Sequence, residues 1–146
     1  MLFRSRTTEI APGLAVAAQL KSDDVADLAH HGFKTIVNNR PDGEEAVQPT
    51  AADIGAEAKR RGLTYVYQPV STSAIGAKDV ADFERNVAAA AKPVLAHCRS
   101  GTRTYLMWAA GQALKGKDPA ALVAEAAARG FDLKSLPGLV ARIKDG

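Results

Sequence analysis

Short apolar runs alternate with longer helix-forming segments along most of the chain, and this alternation limits the folds that the chain can adopt. The segments between the runs are roughly 10–15 residues long and carry apolar residues at helical spacing. Parallel strands need a crossover connection, so this order predicts a mostly parallel sheet covered by helices. We therefore predict an α/β fold with a central sheet of about four to five strands flanked by helices. The predicted strands are 14–17, 33–39, 63–70 and 93–96, and the predicted helices are 22–31, 50–61, 78–91, 104–114, 118–129 and 135–144.

The size and composition of the chain favour one soluble globular unit. Its 146 residues suffice for one hydrophobic core, and we predict a single domain over residues 1–146. With 24% charged and 47% hydrophobic residues, the composition is not that of a disordered chain. No apolar stretch approaches the roughly 20 residues that cross a bilayer, and Met1 to Glu9 lacks the pattern of a signal peptide. We therefore expect a cytoplasmic location and no membrane partner.

The distribution of charge indicates a small ligand instead of a nucleic acid. The net charge of +3 arises from scattered residues without a basic stripe, so we expect no nucleic-acid partner and a slight preference for small anions. The single cysteine excludes both an internal disulfide and a multi-cysteine metal site. His30 and His31 are adjacent on a predicted helix and point in different directions, which makes them a poor ligand pair. We expect no metal and no cofactor.

The segment 94–104, VLAHCRSGTRT, joins an apolar strand to an apolar helix. Ligands of open parallel sheets bind beyond the carboxyl ends of the strands, which is where this segment would place Cys98. A helix N-terminus and nearby cations stabilise a thiolate, the nucleophilic form of cysteine. We predict that Cys98 is the catalytic nucleophile and that Arg103 binds a substrate oxyanion. The other residues expected in this anion-binding loop are Arg99, Ser100, Gly101, Thr102 and Thr104.

Each part of this loop has an expected role. The backbone amides of residues 99–103 would converge on the anion, and Gly101 would permit the tight turn. The Thr104 hydroxyl can donate a hydrogen bond to the sulfur. Strand alternation turns His97 away from the sulfur, so we interpret it as a structural residue beneath the loop. The alternative for Cys98 is a buried cysteine that only fills space under a turn.

A second polar segment follows the strand predicted at 33–39. Asn39, Arg40 and Asp42 could line the same cleft as the cysteine loop. Alternatively, Arg40 pairs with Asp42 or another nearby acid and fixes the loop. Pro41 indicates a rigid turn in both cases. The sequence leaves the two interpretations open.

Two motifs together, HCRSGTR at 97–103 and IVNNRPDGE at 36–44, resemble a known family. It is the phosphatase-like domain family named after the bacterial beta-lactamase-hydrolase-like protein, and the resemblance extends from Leu14 to about Leu114. It implies a cysteine-phosphatase-like fold similar to dual-specificity phosphatases. Some members of the family resemble sulfurtransferases that are fused to, or work beside, persulfide dioxygenase-type metallohydrolases. The resemblance therefore implies either phosphate or sulfur chemistry.

Two features favour sulfur chemistry in this sequence. Only four residues separate Cys98 from Arg103, as in the rhodanese-like Cys-x4-Arg loop, whereas cysteine phosphatases carry five. The segment 68–76 also lacks the carboxylate that phosphatases of this fold use as a general acid, and Asp79 is better explained as a helix cap. We therefore predict a rhodanese-type sulfurtransferase that forms a persulfide at Cys98.

The partners expected for sulfur transfer are small molecules. A thiosulfate-like anion would donate the sulfur, and a glutathione-like thiol or cyanide would accept it, because the chain has no second cysteine. A persulfide dioxygenase-type enzyme is a candidate protein partner. Two alternatives stay open: a tyrosine- or dual-specificity-like phosphatase with a phosphocysteine intermediate, and a non-catalytic pseudo-phosphatase that binds anions.

Overall fold

The computed structural model of the protein describes residues 6–146, so residues 1–5, part of the segment considered for a signal peptide, lie outside it. The strands are β1 (Thr7–Ala11), β2 (Leu14–Ala17), β3 (Thr35–Asn38), β4 (Thr64–Tyr67) and β5 (Val94–His97). The helices are α1 (Ser22–His30), α2 (Ala51–Arg60), α3 (Ala77–Ala89), α4 (Thr102–Leu114), α5 (Pro119–Ala128) and α6 (Leu136–Asp145). Within this range, no helix combines the length and hydropathy needed to cross a bilayer.

The five strands form one sheet in the order β1-β2-β5-β3-β4. The central strand β5 runs parallel to both β2 and β3, β4 is parallel to β3, and β1 is antiparallel to β2. The predicted α/β fold with a mostly parallel sheet is therefore confirmed. Asn38 pairs with His97 at the ends of β3 and β5, so the segments that follow these two strands leave the sheet side by side.

Hydrophobic cores cover both faces of the sheet. Along β5, Val94 and Ala96 face the core formed with α3 to α6, whereas Leu95 faces the core formed with α1 and α2. All four residues of β5 are buried, as expected of a central strand. Most of α4 is buried as well, since its sequence is apolar on nearly every side. The loop between β5 and α4 thus joins two buried elements.

Strand β1 was missing from the sequence-based prediction. It is an edge strand in which only Ile10 is buried, so its sequence shows little apolar alternation. The start of α1 also differs from the prediction. Ser22 is the first helical residue, and Lys21 occupies the cap position, where its amide donates to Asp24 Oδ2 at 2.8 Å.

Helix α4 begins at Thr102, two residues earlier than the sequence suggested. Its N-terminus therefore lies inside the cysteine loop instead of after it. The segment predicted to connect β4 to α3 as a loop contains a short 3-10 turn at Thr72–Ala74.

Candidate active site

Cys98 directly follows β5 and lies under the N-terminus of α4. Its Sγ accepts a hydrogen bond from the Gly101 amide at 3.1 Å. The side chain is only 1% exposed, but it lines a cavity of about 280 Å³. A cysteine that merely filled space in the core would neither border a cavity nor accept an amide proton. Cys98 therefore has an amide donor on its sulfur and a cavity beside it.

Gly101 gives the loop its shape. It caps α4 with a left-handed φ of 94°. A Cβ atom there would lie 3.3 Å from the Ala17 carbonyl oxygen and 3.1 Å from the Phe131 ring. The left-handed backbone and the close neighbours both disfavour a side chain at this position. Because Gly101 turns in this way, its own amide reaches the sulfur.

The remaining loop residues lie at the mouth of the cavity. Arg99, Ser100 and Thr102 all line it. The Ser100 and Thr102 hydroxyls are 3.2 Å apart, and Ser100 Oγ accepts from the Thr102 amide at 3.4 Å. Of the five amides expected to converge on an anion, that of Gly101 is the one that donates to Sγ in the described part of the chain.

Arg103 is buried, with 8% of its surface exposed. Two of the three nitrogens of its guanidinium donate hydrogen bonds. Nη1 donates to the carbonyl oxygens of Val70 at 2.9 Å and Asn39 at 3.3 Å. Nη2 donates to Glu44 Oε1 at 3.1 Å, whereas the buried Nε has no hydrogen-bond partner among residues 6–146. Nε and Nη2 form the side-on edge that binds two oxygens of an oxyanion. Arg103 thus has a fixed orientation and a binding edge that is only half occupied.

Thr104 does not have the expected role. Its hydroxyl donates to Asn39 Oδ1 at 2.9 Å and not to the sulfur. The Asn39 side-chain amide donates to the Gln68 carbonyl oxygen at 3.1 Å, so its own oxygen is available as an acceptor. Both Thr104 and Asn39 are fully buried. Asn39 therefore supports the loop from below and positions Arg103, and neither residue lines the cavity.

Arg40 fixes the loop after β3. It is 2% exposed, and its guanidinium donates to Glu44 at 2.9 Å, Glu45 at 2.7 Å and Gln19 at 3.2 Å. Burial lowers the pKa of Arg40, but the bonds to Glu45 and Glu44 outweigh it and raise the pKa above the ordinary value. Of the two interpretations left open, the loop-fixing one applies, with these two glutamates and not Asp42 as the partners.

Asp42 lies on the other side of this loop, away from the cysteine. Its Oδ1 accepts from the Ala51 amide at 2.8 Å, at the start of α2. Its own amide donates to the Tyr67 hydroxyl at 2.9 Å. Asp42 therefore anchors the loop to α2 and β4. The prediction that it lines a cleft with Cys98 is wrong.

Glu44 and Glu45 reach the anion-binding loop, although sequence analysis assigned them no role. Glu44 Oε1 accepts from both Arg103 and Arg40, and Glu45 bridges Arg40 and Arg99, with 3.3 Å to the latter. Burial raises the pKa of Glu44, but its bonds to Arg103 and Arg40 outweigh this and lower the pKa. The bond from Arg40 lowers the pKa of Glu45. The sequence did contain an indication of this contact. Two acidic residues follow the strand predicted at 33–39, and two arginines follow the strand that ends before Cys98.

Three further residues close the cavity beside Cys98. They are Thr72 from the 3-10 turn, Leu106 from α4 and Ser135 at the cap of α6. None was a sequence-based candidate, because Thr72 and Ser135 are distant from Cys98 along the chain and Leu106 belongs to the apolar helix α4. The segment 68–76 thus contributes a hydroxyl, and not a carboxylate, to the wall.

His97 is fully buried beneath the loop. Its Nδ1 lies 3.2 Å from the Cys98 carbonyl oxygen. Burial lowers the pKa of His97 to about 4, against 6.5 for a free histidine, and the charge of Arg40 acts in the same direction. The imidazole is therefore neutral at pH 7, with its proton on Nδ1, and supports the loop.

The family model that matches this chain is described as "Beta-lactamase hydrolase-like protein, phosphatase-like domain", and it covers residues 6–115. The beta-lactamase hydrolase-like protein of Xylella fastidiosa strain 9a5c is 37% identical over 129 residues, which is 88% of this chain and 30% of the relative. The chain thus spans under a third of the length of the curated relatives it matches.

Solved structures share the fold. The crystal structure of a candidate phosphatase from Neisseria meningitidis Z2491 is 34% identical, with a TM-score of 0.85 over 93% of this chain and 96% of that one. P. aeruginosa TpbA is 23% identical and has a TM-score of 0.71 over 97% of this chain and 84% of its own. At this identity the similarity supports the fold and not the function.

Proposed function

The chain belongs to the phosphatase-like domain family of beta-lactamase hydrolase-like proteins, and on that premise we propose that it hydrolyses phosphate monoesters through a phosphocysteine intermediate at Cys98. The observation that carries the proposal is Arg103, which lines the same cavity as Cys98 and whose buried Nε has no partner among the described residues. The family description and the Neisseria relative favour phosphate over sulfur.

The cavity has room for a phosphoryl group. Its volume of about 280 Å³ is several times the roughly 30 Å³ that one water molecule takes in the liquid. Two oxygens of the group would bind Nε and Nη2 of Arg103, and the Gly101 region at the N-terminus of α4 would face the developing charge. The shorter cysteine loop therefore does not exclude phosphate on grounds of space.

The proposed reaction has two balanced steps. In the first, the Cys98 thiolate attacks phosphorus, the S–P bond forms, the ester P–O bond breaks, and the leaving oxygen takes a proton. In the second, water attacks phosphorus, the S–P bond breaks, and inorganic phosphate leaves. The net reaction consumes one ester and one water and yields an alcohol and phosphate.

Glu44 supplies the proton in this proposal. It takes the place of the acid missing from segment 68–76, because it shares the Arg103 edge with the incoming phosphoryl group. A bound phosphate dianion neutralises Arg103 and so removes one of the two interactions that lower the pKa of Glu44, the other being the bond from Arg40. The negative charge of the phosphate raises the same pKa, and in this proposal the two effects together let the carboxyl group gain a proton when substrate is present. Glu44 then returns as the base that accepts a proton from water.

The test is hydrolysis of 4-nitrophenyl phosphate followed by intact-mass analysis of acid-quenched protein. We expect turnover with a phosphoryl adduct on Cys98, and a loss of about 10³-fold or more in Cys98→Ser. Arg103→Lys should lose about 100-fold because lysine lacks the side-on edge. The matched control is Arg85→Lys, in an exposed ion pair with Asp82, which should keep normal turnover.

Sulfur transfer is the second candidate, favoured by the four-residue spacing between Cys98 and Arg103. The same protein is mixed with thiosulfate and cyanide. Thiocyanate formation that depends on Cys98, without hydrolysis of any phosphate ester, would replace the phosphatase proposal. Absence of both activities, with phosphate still bound, would identify a pseudo-phosphatase.

A further inference from the structure

A second cavity adjoins the one beside Cys98. It has a volume of about 580 Å³ and shares the walls formed by Thr72, Leu106 and Ser135. Pockets of roughly 300–1,000 Å³ are the usual size for small organic ligands. The walls that belong to the second cavity alone include Ser73, Ile75, Leu139 and Arg142.

Helix α6 forms one side of this combined cleft. Ser135, Leu139 and Arg142 are spaced by four and three residues, so they lie along one helix face. From the cysteine outwards, this face presents a hydroxyl group, an apolar side chain and a guanidinium. The Arg142 Nη2 donates to the Ile75 carbonyl oxygen at 3.4 Å, which places the guanidinium against the opposite wall.

Arg142 differs in its charge environment from the arginines near Cys98. Arg40, Arg99 and Arg103 all contact glutamates, whereas Arg142 is exposed and forms no ion pair within the described part of the chain. Among the described residues that line the two cavities, none carries a carboxylate. The cleft therefore has a cation at each end and no negative charge between them.

We propose that Arg142 binds a second anionic group of the substrate, so that the preferred substrate is a small phosphate monoester carrying another phosphate or a carboxylate. This inference rests on the proposed phosphatase function. The hydroxyls of Thr72, Ser73 and Ser135 line the path between the two ends, and they suit a hydroxyl-bearing linker between the two anions. The cavity volumes favour a small molecule over a protein segment.

The test compares fructose 1,6-bisphosphate with fructose 1-phosphate and fructose 6-phosphate as substrates. We expect kcat/KM for the bisphosphate to exceed that for either monophosphate by about tenfold, since a charge-assisted contact is gained. Arg142→Gln should reduce this advantage to about twofold and leave 4-nitrophenyl phosphate turnover unchanged. Lys144→Gln removes the same charge about 200° around the helix and should keep the full advantage.

The outcomes separate this inference from the proposed function. Hydrolysis of 4-nitrophenyl phosphate with no preference for the bisphosphate overturns the role of Arg142 and leaves the phosphatase proposal standing. If no phosphate ester is hydrolysed, the phosphatase proposal fails, and calorimetric binding of the bisphosphate to wild type and Arg142→Gln decides the site. Equal affinities then overturn it. If Arg142→Gln lowers kcat/KM for an acidic phosphotyrosine peptide more than for the bisphosphate, the proposal that the substrate is a small molecule is overturned.

Discussion

The Glu44 carboxylate takes one of the two nitrogens that an oxyanion needs on Arg103. A ligand must displace it from Nη2 before it can bind the whole side-on edge. The same carboxylate oxygen also accepts from Arg40 Nε at 2.9 Å, so the displaced side chain stays beside the site. In the proposed reaction, Glu44 therefore first competes with the substrate for Arg103 and then donates a proton to its leaving group.

Glu44→Gln separates these two roles because it removes the charge and keeps the acceptor oxygen. We expect the inhibition constant of inorganic phosphate to fall about fivefold, which corresponds to about 1 kcal/mol for one displaced ion pair. We also expect kcat for β-glycerophosphate to fall about 100-fold, since an alkoxide leaving group needs the proton. With 4-nitrophenyl phosphate as substrate, kcat should change little.

Glu125→Gln is the control for net charge, because Glu125 is exposed on α5. It should alter neither constant. Unchanged phosphate inhibition in Glu44→Gln would show that Glu44 does not compete for Arg103. An equal loss of kcat on both substrates would show that it does not deliver the proton.

The connection from β5 to α4 is the element that decides the geometry of the sulfur. Helix α4 is buried on most sides, and it begins at Thr102 within the loop. Gly101 bridges the strand and the helix at a positive φ, close to the Ala17 carbonyl oxygen of β2. Because β2, β5 and α4 are all fixed by the cores, the loop has little freedom to adjust.

Gly101→Ala should therefore impair both stability and catalysis. The left-handed backbone costs about 1–2 kcal/mol for a residue with a Cβ, and the crowding against Ala17 and Phe131 adds to it. We expect urea unfolding at lower denaturant concentration and a fall in kcat of about tenfold or more, since the amide moves away from Sγ.

Gly116→Ala is the matched control for this change. Gly116 follows α4 with a φ of 109° and has no atom within 4 Å of an added Cβ. It should lose stability through backbone strain alone and keep its kcat. Wild-type kcat in Gly101→Ala would contradict the role given to the loop geometry.

At the scale of the whole molecule, the buried His97 at the end of the central strand makes the free energy of unfolding depend on pH. Burial holds its pKa at about 4, below the 6.5 of the unfolded chain. Between these two pH values the unfolded chain binds a proton at His97 and the folded chain does not. Since the unfolded state then binds more protons, the free energy of unfolding must fall as the pH drops through this window.

His97→Gln should remove this part of the pH dependence. We expect the wild type to lose about 3 kcal/mol more than the variant between pH 7 and pH 4, which corresponds to the lowered pKa of this buried group. Urea unfolding of both proteins at pH 7, 6, 5 and 4 measures the difference. Parallel curves for the two proteins would show that His97 is not neutral in the folded state.

The local elements could be predicted from the sequence because each has its own periodic pattern. The central strand β5, the buried helix α4 and the cysteine loop between them are examples. The partners of side chains could not be predicted in this way, because they depend on which loops meet in space. Thr104 bonds to Asn39, 65 residues away, and Arg103 to Glu44, 59 residues away.

The same reasoning applies to the proposed proton donor. Segment 68–76 has no carboxylate, and it contributes Thr72 to the cavity wall. The parallel pairing of β3 with β5 instead brings the loop after β3 to the cysteine, and this loop contains Glu44 and Glu45. A sequence-based search therefore has to include every strand end at that edge of the sheet.

The glutamate pairs also determine how the protein responds to ionic strength. In the proposed reaction, a phosphate that enters the site replaces Glu44 on Arg103, while Glu44 and Glu45 both stay bonded to Arg40. The number of unpaired charges in the site hardly changes, so dissolved ions have little net attraction to screen. We therefore expect the affinity for phosphate to depend less on salt concentration than in a pocket whose arginines have no acidic partners.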